Sequence, residues 1–74
     1  GIMTAEALKE TVIAQAKEET AGAEKYRRLA QESETYDKGI AQIFRDAAKD
    51  EEVHAKHMAF IAKMLEAEVE QWKQ

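Results

Sequence analysis

Glu51 and His54 stand three positions apart in the stretch Asp50-Glu51-Glu52-Val53-His54-Ala55-Lys56-His57, where a solvated helix would alternate Glu with Lys. On a helix, residues i and i+3 project from one side, so this acid and this imidazole can face one point in space. Carboxylate and imidazole together suit Fe or Mn, and Zn accepts the same donors. Glu19 supplies a second acid from the first half of the chain. The chemistry within reach of these three side chains is therefore cation binding, and with a redox-active ion, electron transfer. Glu-x-x-His by itself is a weak signal in so charged a chain. Its meaning depends on which way Glu19, Glu51 and His54 point.

The elements that must aim them are two helices. Proline is absent, and the chain is rich in Ala, Glu, Lys and Gln, all good helix formers. Turn and capping residues gather only in Ser33-Glu34-Thr35-Tyr36-Asp37-Lys38-Gly39. The pattern predicts an all-α antiparallel hairpin, with a helix over about 5–33, a loop over about 34–38 and a helix over about 39–72. Thr4 and Asp37 are the expected N-caps. At 74 residues the chain reads as a single domain spanning 1–74.

Steps of four and three from Leu8 give Leu8, Val12, Gln15, Glu19, Gly22, Tyr26, Leu29 and Ser33. The same steps from Ile40 give Ile40, Phe44, Ala47, Glu51, His54, Met58, Ile61, Leu65, Glu68 and Trp72. Such spacing marks the inner stripe of a helical bundle. Glu19, Glu51 and His54 interrupt it. A buried carboxylate costs several kcal/mol unless it is protonated, paired or bound to a metal. At ~1.5 Å per residue, Glu19 lies about 20 Å before the end of the first helix, and Glu51 ~18 Å after the start of the second. Folding back therefore brings the three to one level.

A two-helix hairpin cannot cover its own apolar stripe, so dimerisation into a four-helix bundle is expected, as a plain dimer or a ring of dimers. Two copies would then direct four carboxylates and two imidazoles inward, the donor set of a dinuclear Fe or Mn site in such bundles. The carboxylate charge balances two divalent ions.

Bulk properties exclude other classes. A chain this short has a marginal core and needs support from disulfides, metal or association. Cysteine is absent, which leaves metal and association. A net charge of −4 argues against nucleic acid as a partner. No apolar run approaches the ~20 residues of a membrane span, and none resembles a secretion signal. A cytoplasmic location is expected. Gly1-Ile2, ahead of Met3, reads as an expression remnant without a role.

The segments "EETAGAEKY" and "IAQIFRDAAKDEEVHA" resemble one half of a rubrerythrin-type bundle of the ferritin-like superfamily. That pattern has a Glu, an aromatic seven residues later, and then I-A-x-x-F-x-x-x-A-x-x-E-x-x-H-A on the next helix. The likeness covers roughly residues 15 to 60. It implies a di-iron centre with Glu19 as a terminal ligand, Glu51 as the bridging carboxylate, His54 as the imidazole ligand and Tyr26 as an aromatic near the metals, either a core ring or a catalytic residue that orients a ligand or donates an electron. Two-helix encapsulated ferritins share this half-bundle plan and complete their site between subunits, which implies a shell protein as partner and residence inside a protein compartment. The departures are clear. Rubrerythrins carry both halves in one chain and usually add a cysteine-rich iron centre. Encapsulated ferritins carry a C-terminal targeting tail, whereas this chain ends Glu70-Gln71-Trp72-Lys73-Gln74.

The expected activity is ferroxidase-type oxidation of Fe(II) by O2 or H2O2, for iron storage or detoxification. The alternatives are peroxide reduction with an external reductant, a metal-free helical dimerisation module and a structural Zn site. His57 reads as a flank or interface residue and Glu68 as a solvated terminal acid. Glu18, Glu24, Glu52, Lys56 and Lys63 read as outer-face charges, and Met58 and Trp72 as packing residues.

Overall fold

A computed structural model describes residues 2–73, apart from the side chain of Lys73. It contains helix α1 (Ala5–Ser33) and helix α2 (Lys38–Lys73), packed antiparallel into a rod of 57 × 20 × 15 Å. Among the described residues there is no strand, and no helix is long and apolar enough to cross a membrane.

Both expected caps form. Thr4 Oγ1 accepts from the Ala7 amide at 3.1 Å, and Asp37 Oδ1 accepts from the amides of Gly39 and Ile40 at 2.7 and 3.2 Å. These bonds satisfy amides that a helix start leaves without partners. At the far end of α1, the Ser33 carbonyl accepts from the amides of Tyr36 and Asp37, both at 2.9 Å, closing the turn. Arg45 reaches back to Glu34 at 3.2 Å and ties the turn to α2. Lys9 and Glu66 pair at 2.6 Å across the open end of the hairpin. That contact raises the Lys9 pKa, through the hydrogen bond first and then through the charge of Glu66.

The contact between the helices differs from the expected stripe. Its buried residues are Val12, Ala23 and Ala30 on α1, and Ala41, Ala48 and Val69 on α2. On α1 the seam runs through Val12, Ala16, Glu19, Ala23, Tyr26 and Ala30. On α2 it runs through Ala41, Phe44, Ala48, Glu51, Ala55, Met58, Ala62, Leu65 and Val69. The expected stripe shares Val12, Glu19, Tyr26, Phe44, Glu51, Met58 and Leu65 with this seam. Most of its other members sit one position aside. Leu8, Gln15, Ile40, His54, Ile61, Glu68 and Trp72 are exposed in the single chain. Ala16, Ala23, Ala30, Ala41, Ala48, Ala55 and Ala62 take the place of most of them, because small side chains let two helices approach closely.

Trp72 is 80% exposed, so its expected packing role finds no cover within the hairpin. Met58 is half-buried. Glu52, expected to be simply solvated, pairs with Arg27 across the helices.

The tightness of the alanine seam can be tested by enlarging one member. Ala48→Leu should destabilise the hairpin by roughly 1–3 kcal/mol through overpacking, read as a lower urea midpoint in helical circular dichroism. A midpoint equal to that of the parent would show that the helices do not meet closely there.

Candidate metal centre

α1 and α2 bring Glu19, Glu51 and His54 to one level, with one ligand atom from each lying within 4.8 Å of the others. His54 Nδ1 shares a hydrogen bond with Glu51 Oε1 at 3.2 Å and lies 3.7 Å from Glu19 Oε2. The acids arise from the seam, where their side chains are 14% and 25% exposed, while that of His54 is 52% exposed and closes the cluster from the flank. The three residues singled out from the sequence are therefore neighbours in space. Glu18 and Glu24 are exposed residues outside this cluster.

Two supports hold the acids, and the sequence pattern alone did not single out either. Gln15, one turn before Glu19, donates from Nε2 to Glu19 Oε1 at 2.8 Å. This bond is the main reason the Glu19 carboxyl sits below its ordinary 4.5. Contact with Glu51 and the nearness of His54 act in the same direction, and desolvation opposes them. The second support is Gly22, where a Cβ would stand 2.8 Å from Glu51 Oε2. The signals were present in the sequence: an amide at i−4 from an inward acid, and a glycine between Ala21 and Ala23 in a long helix. A mid-helix glycine costs about 1 kcal/mol relative to alanine, so its presence there calls for a local reason.

Tyr26 lies two turns beyond Glu19. Its ring stacks on Phe44, with centroids 6.3 Å apart and planes at 26°. That pair lies two turns from the cluster toward the turn, with Ala23 and Ala48 between them. His57 and Glu68 are exposed and stand outside the cluster.

Through His54, whose side chain is 52% exposed, the cluster opens to solvent. A groove runs along the opposite flank and is lined chiefly by Ile13, Ala16, Thr20, Ala55, Ala59 and Ala62. The flank that carries His54 is apolar on either side of the cluster. Ile40 and Ile61 recur at seven-residue spacing about Ala47 and His54, with Ile43 beside them and Leu8 on α1, and all four are exposed. The total exposed surface is 5773 Å², against roughly 4,600 Å² expected of a compact protein of 8.4 kDa. The excess exceeds the ~800 Å² that each partner contributes to a standard interface.

The donors suit a divalent cation. Two carboxylates and one imidazole from one chain offer hard oxygen and borderline nitrogen ligands, and Gly22 leaves room for the Glu51 carboxylate against the α1 backbone. No family model, no curated protein and no solved structure matches this chain.

Glu19 also makes the metal-free hairpin sensitive to acid. A carboxyl held below its ordinary pKa adds stability above that value and loses it as the pH falls through its lowered folded value. Glu19→Gln should therefore flatten the loss of thermal stability below about pH 4.5 in chelator-treated protein. An unchanged acid limb would show that the Gln15 and His54 contacts do not hold Glu19 charged.

Proposed function

We propose that the protein binds and oxidises iron at a dinuclear site shared by two copies of the hairpin. The observation that carries this reading is the convergence of Glu19, Glu51 and His54 within 4.8 Å on a flank that one chain leaves open. The exposed Leu8, Ile40, Ile43 and Ile61 on that flank support a second copy as its cover. The resemblance of the two helical segments to half of a rubrerythrin-type, ferritin-like bundle points the same way. A four-helix bundle made from two hairpins would contain Glu19, Glu51 and His54 twice.

Within that assembly each chain's Glu19 and His54 would hold one ion, and Glu51 would span two. Iron bound there would supply the one-electron Fe(II)/Fe(III) couple. As substrate, two Fe(II) with one H2O2 and two protons give two Fe(III) and two waters. With O2 as oxidant, the same two electrons and two protons give H2O2. The protein contributes negative charge that favours the more highly charged product, fixed spacing of the ligands and shelter from bulk water. Tyr26, stacked on Phe44, is assigned as the ring that orients a ligand or donates an electron.

One observation favours a second reading. Gln15, Glu19, Glu51 and His54 already form hydrogen bonds among themselves, as a polar layer in a metal-free dimerisation module would.

Anaerobic titration with Fe(II), followed by air, distinguishes the two. The iron reading expects about two ions bound per dimer and ferric absorbance on oxidation. It also expects a melting temperature raised by Fe(II) or Mn(II), since a ligand that binds only the folded state stabilises it. Glu51→Ala should abolish that uptake. A dimer that takes up no iron would establish the module instead. Ile61→Glu places a charge on the shared flank and should halve the mass in sedimentation and lower the melting temperature. A variant that stays dimeric would place the interface elsewhere.

A further inference from the structure

We infer that Gly22 is a positioning residue for the metal site, an assignment that rests on the metal-binding reading above. Its missing side chain is the seat of the Glu51 carboxylate. A Cβ at position 22 would stand 2.8 Å from Glu51 Oε2, closer than such atoms approach in practice, and 3.6 Å from Glu51 Cδ.

Conformational freedom does not explain this glycine. Gly22 has no positive φ and lies in the interior of α1, flanked by Ala21 and Ala23. An alanine would suit the helix better there. Closeness of the opposing backbone does not explain it either, because the nearest atoms a Cβ would meet all belong to the Glu51 side chain. The far end of a glutamate can swing aside at little cost to the fold. The oxygen that would be pushed away is Oε2, while Oε1 of the same carboxylate lies 3.2 Å from His54 Nδ1, so moving the group off position 22 re-aims both ligand oxygens. The fold therefore tolerates a methyl group at position 22, and the ligand geometry does not.

Folding and metal binding should accordingly respond in opposite directions. In chelator-treated protein, Gly22→Ala should unfold at the same temperature as the parent or higher. Its Co(II) affinity, read from the d–d absorbance, should fall by about tenfold or more, because one ligand is displaced. The dimer should persist in sedimentation, and a crystal of the metal-free variant should show the Glu51 carboxylate turned away from His54. Adding Glu51→Asp to Gly22→Ala shortens the acid by one methylene and should recover part of the lost affinity.

Affinity within twofold of the parent would overturn the assignment. So would an affinity loss accompanied by loss of the dimer, since Gly22 would then serve the approach of two copies. If the parent itself takes up no metal, the functional reading above fails on its own. The positioning role is then decided by the metal-free crystal, where a Glu51 carboxylate unmoved in Gly22→Ala would overturn it.

Discussion

Two carboxylates meeting on the seam between two helices impose the constraint on which the rest of this structure depends. Acids brought that close repel unless something neutralises or hydrogen-bonds them. Glu19 and Glu51 are held by a small set of partners, each placed by helical geometry: Gln15 one turn before Glu19, and His54 one turn after Glu51. Displace either acid from the seam and nothing remains to explain the histidine at i+3.

The alanine seam makes that meeting possible. Ala23, Ala30, Ala41 and Ala48 are almost wholly buried, and their small size lets the helices lie close enough for Glu51 to reach the α1 backbone at Gly22. Large apolar residues are thereby left for other contacts. Ile40, Ile43 and Ile61 stand exposed on the same flank as His54, so the polar cluster lies within an apolar face. A hairpin joined through small residues has little core of its own, and its longer side chains remain available to a second molecule.

The electrostatic details follow from the same placement. Glu52 and Arg27 pair on the flank away from His54, and Lys9 and Glu66 pair at the open end. Surface ion pairs of this kind are worth little in stability, and the short hydrogen-bonded turn from Ser33 to Asp37 fixes the register of the two helices. Register is what the site needs, because sliding one helix by a single turn would carry Glu51 about 5 Å from Glu19.

Much of this was legible in the residues themselves. The absence of proline, the turn residues from Ser33 to Gly39 and the caps at Thr4 and Asp37 determine two helices and where they begin and end, since these are local effects of backbone geometry. The rise per residue was enough to set Glu19 and Glu51 at one level, and the i, i+3 relation to bring His54 beside Glu51. The tertiary structure decided which side of each helix touches the other. Alanine is both a good helix former and a weak apolar signal, so periodicity follows Leu8, Ile40 and Ile61, whereas packing selects Ala23, Ala41 and Ala48 for their size. It also decided that Gly22 lies under the Glu51 carboxylate, because spacing along a chain does not reveal the distance between atoms on two different helices.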